Sequence, residues 1–239
     1  MHKNYTKRLN LRELGGIPFS DGKGVVPEGL FRRSGKLGVL TKAECEMLCR
    51  QRDIKCVIDL RTSVEVSDYP DPLPDSIEYI HIPLLKDSAI GITHETSSDP
   101  MTIVRRLRKN PEELLRMIPD FKFIYRSMVT DEYSRSQVAK AVAKLRENAS
   151  SDRATLFHCT AGKDRTGIVA MALLKSYDVG DDAIIKDYLQ TNRNSFWHTV
   201  RKSLGIALMT RNLHLARIAY NGFMAHREHI EAAMNEYSV

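Results

Sequence analysis

The sequence predicts an α/β domain in which helices flank a mostly parallel central sheet. Three short apolar segments, 55–60, 77–84 and 154–157, have the composition of strands. Segments of helical length and periodicity lie between these strands and after the last one. Because strands that alternate with helices favour a parallel sheet covered by helices, we expect this architecture here.

In the first half of the chain, residues 25–35 are predicted to be extended. Thr41 is placed to cap a helix over 43–51, since Glu44 completes a capping box three residues later. The buried strand 55–60 follows this helix and ends in a polar Asp-Leu-Arg sequence. This order places polar side chains at the end of a strand, where ligands commonly bind.

The pattern changes between 87 and 120. A loop over 91–100 precedes two short amphipathic segments, 101–107 and 112–118, that an Asn-Pro pair separates. We interpret 87–120 as an insertion that forms a lid over a site. Two ordinary surface helices packed on the core are the alternative.

The second half is predicted to be mainly helical. A helix over 136–148 precedes the strand 154–157, and an apolar helix follows, with Gly180 at its C-terminal end. Another helix covers 181–192, and a further helical stretch is predicted to break near Gly205.

No internal repeat, low-complexity tract or linker divides the 239 residues, so we interpret 1–239 as a single domain. No apolar run reaches the roughly 18 to 20 residues of a membrane-spanning helix, so no transmembrane segment is predicted. The N-terminal residues lack the apolar stretch of a signal peptide. We therefore expect a cytoplasmic protein, with export by a route without a signal peptide as the open alternative.

The net charge of +6 favours anionic partners such as phosphates, nucleic acid or acidic membrane surfaces. A solvated surface of mixed charge is the simpler interpretation. No zinc-finger spacing or RNA-binding aromatic motif accompanies the basic residues, so we predict no nucleic-acid partner.

Three of the four cysteines are predicted to be structural. Cys45 and Cys49 lie four residues apart in a predicted helix, but a metal site needs more ligands and the nearest histidine in sequence is His81. We expect these two and Cys56 to be buried thiols, and we predict no metal site. The single tryptophan, Trp197, is predicted to lie in the core rather than to contact substrate.

The segment 154–167 contains residue types suited to chemistry on a phosphate ester. An apolar strand leads into His158 and Cys159, a short loop follows, and a helix opens after Arg165. Backbone N–H groups at such a junction lack intrahelical partners and attract anions, which favours a thiolate at Cys159. The guanidinium of Arg165 can bind two phosphate oxygens at once.

Small residues fill the rest of this loop. Thr160, Ala161 and Gly162 let the backbone approach a bound phosphate closely. Attack by Cys159 on the phosphorus gives a cysteinyl-phosphate that water then hydrolyses. A Walker nucleotide loop is excluded because aspartate follows Lys163, and no G-x-S-x-G elbow occurs.

The segment 158–167, His-Cys-Thr-Ala-Gly-Lys-Asp-Arg-Thr-Gly, resembles the signature loop of the atypical bacterial tyrosine phosphatases with Lys and Asp inside the loop. Segments 10–16, 30–35, 57–62 and 187–192 resemble further blocks of that family. The resemblance implies a cysteine-dependent phosphatase fold, often with a helical lid, and chemistry without metal or cofactor. It also implies phosphorylated protein or phosphoinositide as substrate, and a phosphate or sulfate ion is expected to bind in the loop.

Three aspartates compete for the role of general acid. Asp164 lies inside the loop beside the expected phosphate, unless it only pairs with the helix dipole. Asp59 ends a strand at the same sheet edge as Cys159, unless it forms an ion pair with Arg61. Asp87 follows the next predicted strand, 77–84. We predict Asp164 as the acid with Asp59 in support, and we place Asp87 third.

Supporting roles are predicted for three more residues. Lys163 either binds a second phosphate, as on an inositol ring, or lies in solvent. Thr166 either donates its hydroxyl to the sulfur or caps the helix. These two complete the predicted phosphate-binding set with the small loop residues, and His158 is expected to orient the loop through hydrogen bonds.

The first functional hypothesis is a protein tyrosine phosphatase, with tolerance for phosphoserine and phosphothreonine. The alternative is a phosphoinositide phosphatase, which Lys163 and the basic cluster at 105–109 favour. A hypothesis of another class is a phosphate-binding module without catalysis. Intact Cys159, Arg165 and Asp164 argue against it, because binding alone needs no nucleophile.

Overall fold

The computed structural model describes residues 5–87 and 120–237, so the predicted helices at 101–107 and 112–118 lie outside the described residues. One five-stranded sheet forms in the order β1-β2-β5-β3-β4. Strands β2 to β5 are mutually parallel, and only β1 runs antiparallel to its neighbour, which confirms the predicted architecture. The strands are β1 (Arg12–Glu13), β2 (Phe31–Ser34), β3 (Cys56–Asp59), β4 (Glu78–His81) and β5 (Thr155–His158).

Nine α-helices surround the sheet in the described part of the chain. They are α1 (Tyr5–Leu9), α2 (Lys42–Gln51), α3 (Ser63–Asp68), α4 (Phe121–Thr130), α5 (Glu132–Ser150), α6 (Asp164–Lys175), α7 (Asp181–Thr210), α8 (Leu213–Phe223) and α9 (Arg227–Met234). The predicted capping box starts α2, because Thr41 Oγ1 accepts the Glu44 N–H at 3.2 Å and the Glu44 carboxylate accepts the Thr41 N–H at 2.8 Å. None of the described helices is long and apolar enough to cross a membrane.

Strands β3 and β5 are buried on both faces, which explains their continuous apolar composition. Ile58 and Phe157 face the larger core beneath α4, α5, α6 and α9. Val57 and Leu156 point the other way, into a smaller core beneath α2. Because the parallel strands end at one edge of the sheet, the loop after β5 emerges where ligands bind in α/β folds.

Several sequence predictions need correction. Gly180 does not end the apolar helix; it is the N-cap of α7. Gly205 does not interrupt α7, which continues to Thr210 and ends where Arg211 adopts a left-handed conformation. A single glycine costs a helix only about 1 kcal/mol relative to alanine, which the flanking turns tolerate.

Side-chain burial agrees with the predictions for three cysteines and disagrees for the tryptophan. Cys45, Cys49 and Cys56 are buried free thiols, as predicted. Trp197 is 67% exposed on α7, so its predicted place in the core is wrong. The second half of α7 lies at the surface. The spacing of apolar residues alone does not distinguish a stripe that faces the core from one that is exposed.

Candidate active site

The loop after β5 joins the sheet edge to the N-terminus of α6. Cys159 directly follows β5 and is buried with 2% exposure. Helix α6 begins at Asp164, and its N-cap residue Lys163 makes no side-chain capping hydrogen bond. The first N–H groups of α6 therefore point into the loop without a capping side chain, and this arrangement suits an anion.

Gly162 allows the loop to pack directly on β2. Its φ of +66° lies in the left-handed region. A Cβ atom there would lie 2.5 Å from the backbone carbon and oxygen of Ser34. Both the conformation and the space therefore require glycine.

The Gly162→Ala variant is expected to lose about 2 to 5 kcal/mol of stability, from left-handed strain and the collision with β2 together. Urea unfolding measures this loss, and phosphate release reports the displaced loop. Gly22→Ala is the matched control, because Gly22 has a φ of +69° and a Cβ atom added to it would meet no other atom within 4 Å. The control should lose only about 1 kcal/mol. Equal losses in the two variants would contradict the packing role of Gly162.

Buried polar groups hold the loop from below. The Gly162 carbonyl accepts hydrogen bonds from Asn10 Nδ2 at 2.9 Å and from Arg33 Nη2 at 3.1 Å. Asp187 pairs with two arginines, with Arg12 Nε 2.7 Å from Oδ1 and Arg33 Nη1 2.5 Å from Oδ2. Burial alone would raise the pKa of Asp187, but Arg33 and Arg12 outweigh it and lower the pKa. The carboxylate is therefore ionised, and it fixes both arginines beneath the loop.

Glu65 holds the side chain of Arg165. Arg165 Nη1 lies 2.5 Å from Glu65 Oε2 and Nη2 lies 2.8 Å from Oε1, so the pair is bidentate. The Thr160 hydroxyl also donates to Glu65 Oε1 at 2.5 Å. Because Glu65 Oε2 accepts the Thr62 N–H that starts α3, this carboxylate joins α3 to the loop.

The opposite charges of Glu65 and Arg165 shift the pKa of each residue. Burial alone would raise the pKa of Glu65, but the hydrogen bonds and charge of Arg165 lower it to about 2. Burial alone would lower the pKa of Arg165, but Glu65 and the charge of Cys159 raise it. The guanidinium therefore stays charged and fixed in place beside the loop.

Acid is expected to weaken this pair. Because the pKa of Glu65 is lowered from 4.5 to about 2, its ionised form stabilises the fold above pH 4.5. That contribution, at most about 3 kcal/mol, is lost as the pH falls from about 4.5 towards 2. The difference in unfolding free energy between wild type and Glu65→Gln should shrink across this window. A difference that does not change with pH would contradict the pairing, and the exposed Glu46→Gln is the control.

A second buried network lies behind the loop. Arg61 forms a bidentate pair with Asp59, with Nη2 2.6 Å from Oδ2, and also lies 2.7 Å from Asp71 Oδ2. His158 Nε2 is 3.0 Å from the same Asp71 oxygen. Burial alone would lower the pKa of His158, but Asp71 and Asp59 raise it. The two carboxylates thus favour the protonated form of His158, which lies fully buried behind the loop.

Asp59 is part of this network rather than of the cavity. It is fully buried, and the Tyr79 hydroxyl also donates to it at 3.1 Å. Burial alone would raise the pKa of Asp59, but His158 and Arg61 lower it, so the carboxylate is ionised. The ion pair with Arg61, which was the structural alternative for this residue, is present. Asp59, Asp71 and His158 also have the spacing of metal ligands, but Arg61 already supplies the cation between the two carboxylates.

Asp164 is the one of the three candidate acids that lines the cavity beside the loop in the described structure. Its Oδ1 accepts a hydrogen bond of 2.5 Å from the Tyr125 hydroxyl, which also lies 2.6 Å from the Tyr188 hydroxyl. Its side chain retains 35% exposure. Asp87 instead accepts the Ser63 N–H at 3.0 Å at the start of α3.

For Lys163 and for Thr166, the structure contradicts one of the two predicted alternatives. Lys163 is 6% exposed, and its Nζ donates to the carbonyls of Gly222, Phe223 and Met224 at 2.9 to 3.3 Å. It binds the C-terminal end of α8, so the alternative that Lys163 lies in solvent is wrong. Thr166 lies inside α6 and does not cap it, and its buried hydroxyl has no hydrogen-bond partner among the described residues.

A cavity of about 510 Å³ opens beside the loop. Thr160, Ala161, Lys163 and Asp164 form its floor, and α1, α7 and α8 contribute walls. Its basic lining residues outnumber the acidic ones, and they are Lys7, Arg8, Lys36, Lys163 and Lys202. The cavity therefore suits a ligand with more than one negative charge.

Comparison with known proteins agrees with this geometry. The model of the tyrosine phosphatase family matches residues 4–238. The chain belongs to the tyrosine phosphatase family. The family therefore spans both described parts of the chain, including the loop after β5 and the helices that follow it.

Three relatives in this family align with the chain. A protein of Cupriavidus necator named as a tyrosine-protein phosphatase is 29% identical over 78% of this chain and 61% of the relative. A tyrosine-protein phosphatase of Nostoc commune is 33% identical over 68% of this chain and 48% of the relative. The triple specificity protein phosphatase PtpB of Mycobacterium tuberculosis is 31% identical over 77% of this chain and 70% of the relative. The chain thus spans less than two thirds of the length of the first two.

Two solved structures also align. Tk-PTP in its active form matches at 14% identity over 70% of this chain and 80% of that structure, with a TM-score of 0.37. P. aeruginosa TpbA matches at 13% identity over 89% of both chains, with a TM-score of 0.39.

Five residues that hold the loop in this member of the tyrosine phosphatase family carry little signal in the sequence. Asn10, Arg33 and Asp187 lie in segments that resemble blocks of the family, but nothing local shows that they meet beneath the loop. Glu65 lies in none of those segments, and its capping box explains it without any link to Arg165. Tyr125 lies in a helix that follows the insertion, and its contact with Asp164 spans 39 positions.

Proposed function

We propose that this chain is a protein tyrosine phosphatase that acts through a cysteinyl-phosphate on Cys159. One observation carries the proposal: Cys159 and Arg165 flank a loop at the uncapped N-terminus of α6, and Glu65 fixes the arginine there. A phosphate dianion in this loop would meet the N–H groups of α6 and the guanidinium together. Family membership supports this assignment.

In the first step, the sulfur of Cys159 attacks the phosphorus, and the bond between phosphorus and the tyrosine oxygen breaks. The leaving phenolate takes a proton from Asp164. The loop N–H groups and Arg165 stabilise the charge on the three remaining phosphate oxygens. The products of this step are the protein or peptide with an unmodified tyrosine side chain and the cysteinyl-phosphate.

In the second step, a water molecule attacks the phosphorus and gives a proton to Asp164. The bond between sulfur and phosphorus breaks, and inorganic phosphate leaves. The buried hydroxyl of Thr166, which has no partner among the described residues, is available to stabilise the departing thiolate.

Asp164 is the proposed acid because its carboxyl group lines the cavity and is positioned by Tyr125. We expect Asp164→Asn to lower kcat on a phosphotyrosine peptide by about 10² to 10³-fold. The loss should be smaller on p-nitrophenyl phosphate, because its leaving group needs little protonation.

Asp59→Asn is the comparison for this experiment. We expect it to reduce stability through the loss of its pair with Arg61, and to affect both substrates alike. A variant of Asp164 that turns over both substrates at the wild-type rate would remove the proposed acid, and the nucleophile would stand.

Phosphoinositides are the second candidate substrates. The basic lining of the cavity favours a ligand with several phosphates, and one relative is named a triple specificity protein phosphatase. We also propose activity on phosphoserine and phosphothreonine, which the name of the same relative supports. A binding module without catalysis is disfavoured, because Glu65 and Tyr125 position an arginine and a carboxyl group beside a buried cysteine.

A rapid acid quench tests the central proposal. The chain is mixed with a ³²P-labelled phosphotyrosine peptide and quenched, and the labelled protein is digested to locate the phosphoryl group. We expect the label on the peptide that contains Cys159. In a separate assay, the rates of phosphate release from phosphotyrosine, phosphoserine and phosphoinositide substrates rank the candidate functions. Absence of both label and phosphate release, or label on another residue, would overturn it.

We also propose that 1–239 form one domain, since both described parts contribute strands to a single sheet. The predicted lid at 87–120 lies almost wholly outside the described residues.

A further inference from the structure

The surplus positive charge of this chain is concentrated in one segment. Residues 188–227 contain no aspartate or glutamate, but they contain six arginine or lysine residues. That number equals the net charge of +6, so charges in the rest of the chain balance. The segment covers most of α7, all of α8 and the turn to α9.

Helix α7 exposes an amphipathic combination of residues on one side. Trp197, Leu204 and Leu208 are spaced by seven and four residues, so they share a helix face, and their exposures are 67%, 56% and 70%. Exposed arginines occupy the same face at helical spacing. We call this set the arginine–apolar face, and it consists of Arg193, Trp197, Arg201, Leu204, Leu208 and Arg211.

Nothing in the described structure covers or neutralises this face. None of its three arginines has an ion-pair or hydrogen-bond partner among the described residues, although many other arginines of the chain are paired. Two more apolar side chains near the C-terminal end of α7 are exposed, because Met209 is 45% exposed and Leu213 is 79% exposed. Large apolar residues grouped in this way are unusual on a monomer surface and indicate a binding surface.

We propose that the arginine–apolar face binds the surface of an anionic lipid bilayer. Helices that lie in a membrane interface bury Trp and Leu side chains among the acyl chains and present Lys or Arg to the headgroups. Each arginine near an anionic surface strengthens binding about fivefold. The absence of acidic residues over 188–227 removes the repulsion that would oppose this contact.

Charge also argues against a second copy of the chain as the occupant. In a symmetric dimer through this face, each copy would present the same arginines to the other. Like charges at such an interface oppose association, and the segment holds no carboxylate to pair with them. An anionic bilayer supplies the negative charge that the face lacks.

The face adjoins the cavity beside the loop. Ser195, Thr199 and Lys202 of α7 and Phe223 of α8 line that cavity, so the same helices form a wall of the candidate site and the proposed membrane surface. Bilayer binding would bring the cavity close to lipid headgroups. Any use of this closeness in catalysis rests on the proposed phosphatase function, whereas bilayer binding itself does not.

Trp197 allows a direct test, because it is the only tryptophan in the chain. Its fluorescence is recorded with vesicles of phosphatidylcholine alone and of phosphatidylcholine with about 30 mol% phosphatidylserine. We expect a blue shift, and quenching by brominated acyl chains, only with the anionic vesicles. Raising the salt from about 0.05 M to about 0.5 M should weaken binding, because it screens the arginines.

Variants separate the contribution of the arginines to bilayer binding from that of the apolar side chains. Arg201→Glu with Arg211→Glu is expected to lower the binding constant at least about 25-fold, whereas Arg50→Glu with Arg135→Glu, exposed elsewhere, is the control of equal charge. Leu204→Asn with Leu208→Asn should lower it at least about tenfold, and the exposed Met47→Asn is the control. Circular dichroism and thermal unfolding check that each variant is folded.

Three results would overturn the proposal. The first is an unchanged Trp197 spectrum with anionic vesicles. The second is equal losses in the face variants and their controls. The third is self-association that Leu204→Asn with Leu208→Asn abolishes in a chain that does not bind vesicles, which would assign the face to a second copy. None of these readouts depends on phosphate release, so failure of the proposed phosphatase activity would be distinguishable.

Discussion

Replacing Cys159 by serine is expected to lower turnover of a phosphotyrosine peptide by at least about 10³-fold. A serine hydroxyl is a far weaker nucleophile than a cysteine sulfur, so the nucleophile is lost while the loop keeps its shape. Binding of phosphate should persist, because Arg165 and the N–H groups of α6 are unchanged. Steady-state phosphate release and calorimetric titration with phosphate measure the two properties separately.

Cys49→Ser is the matched control for this variant. Cys49 is also a buried free thiol, but it lies on α2 in the smaller core. The control should keep its turnover, although it loses some stability. Wild-type turnover in Cys159→Ser on every substrate would show that the cysteinyl-phosphate mechanism is wrong.

Replacing Asp187 by asparagine is expected to destabilise the chain by about 3 to 5 kcal/mol. The substitution leaves Arg12 and Arg33 buried, with side-chain exposures of 5% and 0%, without the carboxylate that neutralises them. Arg33 also donates to the Gly162 carbonyl, so the loop should lose order together with the network. Urea unfolding gives the stability, and kcat reports the loop.

Asp181→Asn is the control for this prediction. Asp181 pairs with Lys175 at the start of α7, but its side chain is 60% exposed. A surface pair contributes about 0 to 1 kcal/mol, so the control should differ little from wild type. Equal stabilities of the two variants would contradict a supporting role for the buried Asp187.

These two experiments address different parts of the same site. Cys159 and Arg165 supply the proposed chemistry, whereas Asp187 acts only through the arginines that hold the loop. The Cys159 variant should lose turnover with no more loss of stability than Cys49→Ser, and the Asp187 variant should lose both turnover and about 3 to 5 kcal/mol of stability. This contrast separates a catalytic residue from a positioning residue.

The sequence predicts many elements of the fold because their signals are local. The capping box at Thr41 and Glu44 defines the start of α2 within four residues. Continuous apolar composition identifies β3 and β5, since strands buried on both faces lack alternation. Gly205 shows the limit of such signals, because a residue that weakens an isolated helix is tolerated inside the long α7.

Burial is harder to infer than secondary structure. Trp197 has the size and apolarity of a core residue, yet it lies on the exposed side of α7. Which face of a helix turns inward depends on what packs against it, and that depends on the whole fold. The same reason explains Lys163, whose ammonium group meets the end of α8 about 60 residues further along the chain.

By itself, the sequence determined the class of fold and the loop that carries Cys159 and Arg165. The groups of that loop lie within seven consecutive residues, and a strand before them and a helix after them fix their local geometry. Only the tertiary structure decided which aspartate faces the cavity and which carboxylate holds Arg165. Glu65 lies 100 positions before Arg165, and only the folded sheet brings α3 to the start of α6. Contacts over such distances leave no local pattern, because their partners are selected by packing rather than by neighbouring residues.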